Sequence, residues 1–164
     1  MRIVSYNPFN PAQESALRHL LVQYFAGLDY DNPKDAVPPS AVPKILSLIA
    51  ESLARGGFWA YLARERDMLC GFVIAQIDGK GKDWRKRPGW GFIRELYVAP
   101  SYRGKGIAGK LVRRAEASIL QGGASQVYLT TNLVGFWEAM GYIDSGEVYP
   151  GNGGKIYEKS LREE

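Results

Sequence analysis

Apolar positions along this chain change period from one segment to the next, and each change marks a predicted element. Residues 3–6, Ile-Val-Ser-Tyr, read as a short opening strand. Asn10 then offers a capping side chain, Pro11 fits the first helical position, and Gln13 follows three residues after the cap. Leu17, Leu20, Leu21, Tyr24, Phe25 and Leu28 recur three and four residues apart, which lays them on one helical face. Gly27 and the Asp/Asn/Pro-rich residues 29–39 end that helix. A second helix is expected from Ser40, carrying Ile45, Leu48, Ile49 and Leu53 and stopping at Gly56-Gly57.

The middle of the chain switches to strands. Residues 58–64 and 69–77 are apolar runs rich in aromatic and β-branched side chains, joined by the polar turn Glu65-Arg66-Asp67, and they read as an antiparallel hairpin. Residues 78–89 carry Gly79, Lys80, Gly81, Lys82, Arg85, Lys86 and Arg87, a solvated basic loop or a contact for an anionic partner. Residues 91–98 form another strand, stopped by Pro100. A helix over 104–121 buries Ile107, Ala108, Leu111, Val112, Ala115 and Ile119, and Gly122-Gly123 cap it. Residues 125–131 make a strand, 133–140 a short helix ended by Gly141, and 142–148 with 155–161 a last strand pair. Hairpins mixed with one strand-helix-strand crossover predict a mixed α/β (α+β) sheet rather than a parallel one. Residues 1–164 read as one domain, without repeat or linker.

Composition narrows the class without naming a function. The chain is 46% hydrophobic and 23% charged, ordinary for a soluble globular protein. No run of about 18 apolar residues predicts a membrane span, and the N-terminus lacks a signal-peptide pattern, so a cytoplasmic location is the default. Cys70 and His19 are the only residues of their types, which leaves no disulfide framework and no Cys/His metal cluster. Cys70 sits in an apolar run and reads as core, His19 as helix surface. A net charge of +4 suits an anionic ligand but is too small an excess to argue for nucleic acid.

The densest chemical signal is residues 102–111, Tyr-Arg-Gly-Lys-Gly-Ile-Ala-Gly-Lys-Leu. It contains G-x-G-x-x-G as Gly104, Gly106 and Gly109, G-x-x-x-x-G-K ending at Lys110, and R-x-x-G-x-A as Arg103, Gly106 and Ala108. All three share one physical idea: small residues let backbone N–H groups at a helix N-terminus approach a phosphate, where the helix dipole favours negative charge. The dinucleotide version wants a strand running directly into the glycines and an acid about 20 positions later to hold a ribose. Here Pro100 intervenes, and the next strand ends in Thr130-Thr131-Asn132. The P-loop version needs Ser or Thr after the lysine for magnesium, and Leu111 stands there. A glycine-rich helix start without a ligand is opposed by the cost of glycine in a helix, about 1 kcal/mol each relative to alanine.

With its flanks, Phe92-Ile93-Arg94-Glu95-Leu96-Tyr97-Val98-Ala99-Pro100-Ser101-Tyr102-Arg103-Gly104-Lys105-Gly106-Ile107-Ala108, the segment resembles the acetyl-CoA signature of the GNAT superfamily of N-acetyltransferases. The resemblance extends to the stretch from Asn132 to Gly141-Tyr142, and the element order follows that family over nearly the whole chain. It implies a GNAT-like, mostly antiparallel mixed sheet of about six to seven strands flanked by helices. Its two central parallel strands, 91–98 and 125–131, would splay apart. Arg103, Gly104, Lys105, Gly106, Ile107 and Ala108 would hold the diphosphate of coenzyme A. Leu96, Tyr97 and Val98 would pair with the pantetheine arm, and an N–H near Tyr97 or Val98 would polarise the thioester carbonyl. Asn132 would reach the pantetheine.

The activity so implied is acetyl transfer from acetyl-CoA to a primary amine, of a small molecule or of a peptide or protein, by direct attack in a ternary complex. A coenzyme A-binding regulatory module with the same fold is the alternative. No metal and no membrane are implied, nucleic acid is not expected, and a homodimer stays open. Glu95 is the candidate base, its other reading being a pair with Arg94 or a helix cation. The family's usual acidic tyrosine falls on Trp137, whose indole is a donor that does not give up a proton near neutral pH. Trp137 would pack on the cofactor, leaving Tyr142, Tyr128, Tyr149 or solvent to protonate the thiolate, with Tyr142 taken as the acid. Asp29, Tyr30 and Asp31 form either an acidic lip for a cationic amine or a polar loop, with residues 146–154 as the opposite lip.

Overall fold

The hairpin at the centre of the chain organises everything around it. β2 (Phe58–Glu65) and β3 (Met68–Ile77) pair antiparallel through a tight turn in which Arg66 takes a positive φ of 55°. β1 (Arg2–Ser5) adds to β2 and β4 (Gly91–Val98) to β3, both antiparallel. β5 (Gln126–Thr131) lies parallel to β4, and β7 (Lys155–Ser160) and β6 (Ile143–Val148) complete a seven-stranded sheet in the order β1-β2-β3-β4-β5-β7-β6. This is the mixed, mostly antiparallel sheet that the element order predicts. The computed structural model describes residues 1–28, 33–79, 87–149 and 153–162. Among them no helix is long and apolar enough to cross a membrane.

Two helices cover one face of the β1–β4 half. α1 (Pro11–Ala26) starts as its sequence predicts: the Asn10 side chain accepts from the Ala12 and Gln13 N–H groups at 3.0 and 3.1 Å, while Gln13 turns back to accept from the Asn7 N–H. α2 (Val42–Arg55) follows a single 3-10 turn at Pro39–Ala41. Leu17, Leu20 and Leu21 from α1 and Val42, Leu46 and Ile49 from α2 bury against Leu62, Phe72 and Ile74 of the sheet. The α2 stripe therefore runs through 42, 46 and 49, with Ile45 and Leu53 at its margin. Leu48, expected inside, is 48% exposed because it lies two residues, about 200° of helix rotation, from Leu46. Leu28, expected on the buried face of α1, lies past the helix end and is exposed.

α3 (Ile107–Gln121) covers the opposite face, burying Ile107, Leu111, Val112, Ala115 and Ile119 against Val73, Ala75, Ile93 and Val127. It begins three residues later than the sequence suggests. Gly104 and Gly106 both sit at positive φ, 79° and 80°, so neither is helical, and Gly106 becomes a left-handed cap. Helix and sheet approach most closely at Gly91, where a Cβ would stand 2.3 Å from Ile119 Cγ2. α4 (Val134–Ala139) is a short helix between β5 and β6.

The β3–β4 pairing contains one irregularity. Ile74 faces Glu95 but the next residue, Ala75, faces Ile93, so Arg94 is an extra residue in β4. An inserted residue reverses the side-chain alternation. Ile93, Leu96 and Val98 consequently all lie on the α3 side, while Tyr97 packs on the α1 side.

Gly91→Ala should lower unfolding free energy by about 1–3 kcal/mol, because the new methyl meets a stiff β-branched side chain in a close-packed core. Denaturant unfolding should show the loss, and the same substitution should cost less when made in an Ile119→Ala background.

Candidate active site

β4 and β5 are paired only through Gly91 with Val127 and Phe92 with Tyr128. Beyond the Arg94 bulge the two strands part. The backbone orientation of the freed stretch follows from one hydrogen bond: the Ala99 N–H donates to the Cys70 carbonyl at 2.8 Å. N–H and C=O of a residue share a side and alternate along a strand, so Glu95, Tyr97 and Ala99 face β3. Leu96 and Val98 therefore face the gap. The Tyr97 carbonyl agrees, lying only 2.7 Å from where a Gly71 Cβ would be. Of the two residues expected to offer an N–H into the slot, the geometry favours Val98 over Tyr97.

At the end of β4 a single 3-10 turn, Pro100–Tyr102, carries the chain to the glycine loop. The Arg103 Nε donates to the Val98 carbonyl at 2.7 Å, and its guanidinium lies 5.4 Å from the Tyr97 ring centre. Arg103 thus folds back on the strand rather than projecting over the helix start. Gly104, Lys105 and Gly106 are exposed, Ala108 is half-buried, and Ile107 points into the core and anchors the helix. No side chain caps α3, so its first N–H groups meet only the space beyond the loop. The glycines divide by cause. Gly104 and Gly106 are required by their φ, with nothing within 4 Å of a Cβ, whereas Gly109 is helical and a Cβ there would make only an ordinary contact, 3.6 Å from Met140 Sδ.

Glu95, carried by the bulged strand, accepts a hydrogen bond from the Tyr24 hydroxyl on α1. Burial pushes the Glu95 carboxyl above the usual carboxylate range, opposed by the Tyr24 hydrogen bond and the nearby Arg94 charge. Arg94 itself donates to Gln76 Oε1 at 3.2 Å, so the direct Glu95–Arg94 pair is not what forms. By spacing Tyr24 belongs to the apolar stripe of α1, yet its hydroxyl meets Glu95. The available signal was a hydroxyl-bearing residue within an otherwise aliphatic and aromatic face, since a buried phenol seeks a partner.

Two expected site residues make contacts within the protein. Tyr142, taken as the acid, is 2% exposed and donates its hydroxyl to Glu116 Oε2 at 2.7 Å. Lys159 Nζ lies 3.1 Å from the same oxygen and donates to the Met140 carbonyl at 2.8 Å. Burial and the adjacent carboxylate push the Tyr142 phenol far above its ordinary value. It is a structural group inside a buried polar network joining α3, α4 and β7. Trp137, expected on the cofactor, is 6% exposed and packs edge to face on Phe136 and Tyr142, so its contacts are with the protein core. Tyr128 donates to Asp78 Oδ2 at 2.7 Å, and Tyr149 packs beside it against Phe92 and Ile156.

Asn132 is exposed just past β5, on the strand that parts from β4. Asp29, Tyr30 and Asp31 lie outside the described residues, as do 80–86 and 150–152. Arg87 is an internal clamp: it pairs with Glu147 and, at 2.6 Å, with Glu158, while its N–H donates to Asp78.

A splayed parallel pair followed by a glycine loop and an uncapped helix start defines the class of protein as an acyl-coenzyme A-type transferase fold. The sequence matches the acetyltransferase (GNAT) family over residues 16–142, and the chain belongs to that family. It is 39% identical over 57 residues to an uncharacterized N-acetyltransferase of Chlorobaculum tepidum, an alignment covering 35% of this chain and 37% of the relative. Its fold is similar to an aminoglycoside 6'-acetyltransferase type Ii, with a TM-score of 0.75 at 20% identity, covering 100% of this chain and 99% of that one. It is also similar to a GNAT family acetyltransferase from Brucella melitensis in complex with acetyl-CoA, with a TM-score of 0.66 at 19% identity, covering 99% and 89%.

Tyr142→Phe should leave turnover unchanged while lowering stability by about 1–2 kcal/mol, since Glu116 loses a buried donor. Parallel rate and thermal-unfolding measurements check it, and a large loss of rate in a stably folded variant would restore Tyr142 as an acid.

Proposed function

We propose that the chain moves the acetyl group of acetyl-CoA to the amine of a small molecule or of a peptide or protein, by direct attack in a ternary complex. One observation carries this reading: β4 leaves β5 after two residue pairs, freeing the Leu96 backbone and the Val98 N–H for another partner with Glu95 on the same stretch. The residues fit the co-substrate. The Leu96 N–H and C=O and the Val98 N–H, all facing the gap, match the amides of a pantetheine arm, the open loop at Gly104, Lys105 and Gly106 with the α3 start matches a diphosphate, and Asn132 lies just past β5. Ala108, half-buried in the first turn, keeps that approach low.

In this reading the Val98 N–H donates to the thioester oxygen as negative charge develops there. The amine nitrogen bonds to the acetyl carbon as the carbon–sulfur bond breaks. Glu95 accepts the proton that the nitrogen loses, directly or through water, and solvent protonates the thiolate. Asp29, Tyr30 and Asp31 are proposed as the acidic lip that draws in a cationic acceptor. A second reading, a non-catalytic coenzyme A-binding module, is favoured by the engagement of Trp137 and Tyr142 with the protein core.

Calorimetric titration with acetyl-CoA should show binding, which Gly106→Val abolishes by blocking the left-handed cap. No binding at millimolar acetyl-CoA overturns both readings. A thiol-release assay across a panel of amines then separates enzyme from module. Glu95→Gln should cut turnover by roughly a hundredfold or more. The unmodified chain should lose kcat/KM as pH falls through the elevated Glu95 value, because a protonated carboxyl accepts nothing.

A further inference from the structure

We propose that Tyr24 is a positioning residue for this reaction: from α1, its hydroxyl holds the Glu95 carboxylate oriented and ionised, ready to accept a proton. The inference rests on Glu95 being the base. The two residues are 71 positions apart and meet because α1 packs over β3 and sets Tyr24 against Tyr97 of β4. Nothing in α1 itself requires a hydroxyl at this place. Tyr24 is held by rings on three sides, with centres 5.1 Å from Phe25, 5.7 Å from Phe72 and 5.8 Å from Tyr97. Those contacts fix the ring and aim its hydroxyl; phenylalanine would satisfy all of them equally well. The hydroxyl donates to Glu95, the one carboxylate on the freed half of β4.

The surroundings of Glu95 make that hydroxyl consequential. From α1 the titratable group facing it is Tyr24. Its own strand contributes Arg94, whose guanidinium is engaged by Gln76, and Tyr97 on the same side. β3 opposite contributes the apolar Ile74 and Phe72. Burial favours the neutral acid, so the ionised form depends on a donor at the carboxylate and on the field of Arg94. Remove the donor and the carboxyl titrates higher, leaving less base on the acid side of its titration.

The test compares the full chain with Tyr24→Phe and Glu95→Gln, with thiol release followed across about pH 5 to 10 and Glu95 titrated by carboxyl NMR in the absence of cofactor. Tyr24→Phe should move the acid limb of kcat/KM and the Glu95 midpoint upward by about one pH unit. Its rate should fall up to roughly tenfold at pH values below the limb and recover on the alkaline side, with the KM for acetyl-CoA unchanged. An unmoved limb and midpoint in Tyr24→Phe, with Glu95→Gln still inactive, would overturn the role of Tyr24 and leave the base assignment standing. Full turnover of Glu95→Gln at every pH would overturn the base assignment, and the role of Tyr24 with it. The NMR midpoint needs no acceptor and reads the contact even where turnover is slow.

Discussion

The extra residue in β4 is the constraint on which the site depends. Without Arg94 as a bulge, Glu95 and Ile93 would share a face and the strand would keep its alternation past β5. With it, Ile93 joins Leu96 and Val98 against α3, which anchors both halves of β4 to one helix. The strand is bent at that point, and its second half no longer follows β5. One inserted residue therefore opens the slot, turns the Leu96 and Val98 backbone toward it and sets Glu95 beside α1. The Gly91–Ile119 contact holds the other end of the same strand tightly against α3, so the opening stays confined to the far half.

Two buried polar networks frame this opening and explain where the tyrosines go. Glu116 from α3 gathers Tyr142 and Lys159, tying the segment after α4 to β7. Asp78 gathers Tyr128 and the Arg87 N–H, while the Arg87 side chain bridges to β6 and β7 through Glu147 and Glu158. Such groups are stable inside a protein only when their hydrogen-bonding capacity is met, and meeting it removes them from chemistry. Tyr24 and Glu95, by contrast, meet as a hydrogen-bonded pair on the freed stretch of β4. The proposed reaction accordingly uses backbone donors, one carboxylate and solvent rather than a tyrosine acid.

Much of the fold is legible in the chain because it rests on local rules. The Asn10-Pro11 start of α1, the hairpin turn at Arg66 and the glycine stops are dictated by capping chemistry and allowed φ values. Boundaries failed where two local rules competed. The apolar period of α3 extends back through the loop, but Gly104 and Gly106 sit at positive φ and delay the helix to Ile107. Leu48 belongs to a plausible stripe by spacing, yet the 3-10 turn at Pro39–Ala41 sets the phase that puts Val42, Leu46 and Ile49 inside.

By itself, the sequence determined the glycine loop, the strand before it and the family to which both belong, since these need only neighbouring residues in the right order. It also marked Glu95 as the carboxylate next to the slot. Only the tertiary structure decided that Arg94 bulges, that Tyr24 rather than Arg94 meets Glu95, and that Tyr142 serves Glu116. Each of those depends on which surfaces two distant elements present to one another when they pack. A hydroxyl on a helical stripe looks the same in sequence whether it finds water, a core carboxylate or the carboxylate of a reaction site.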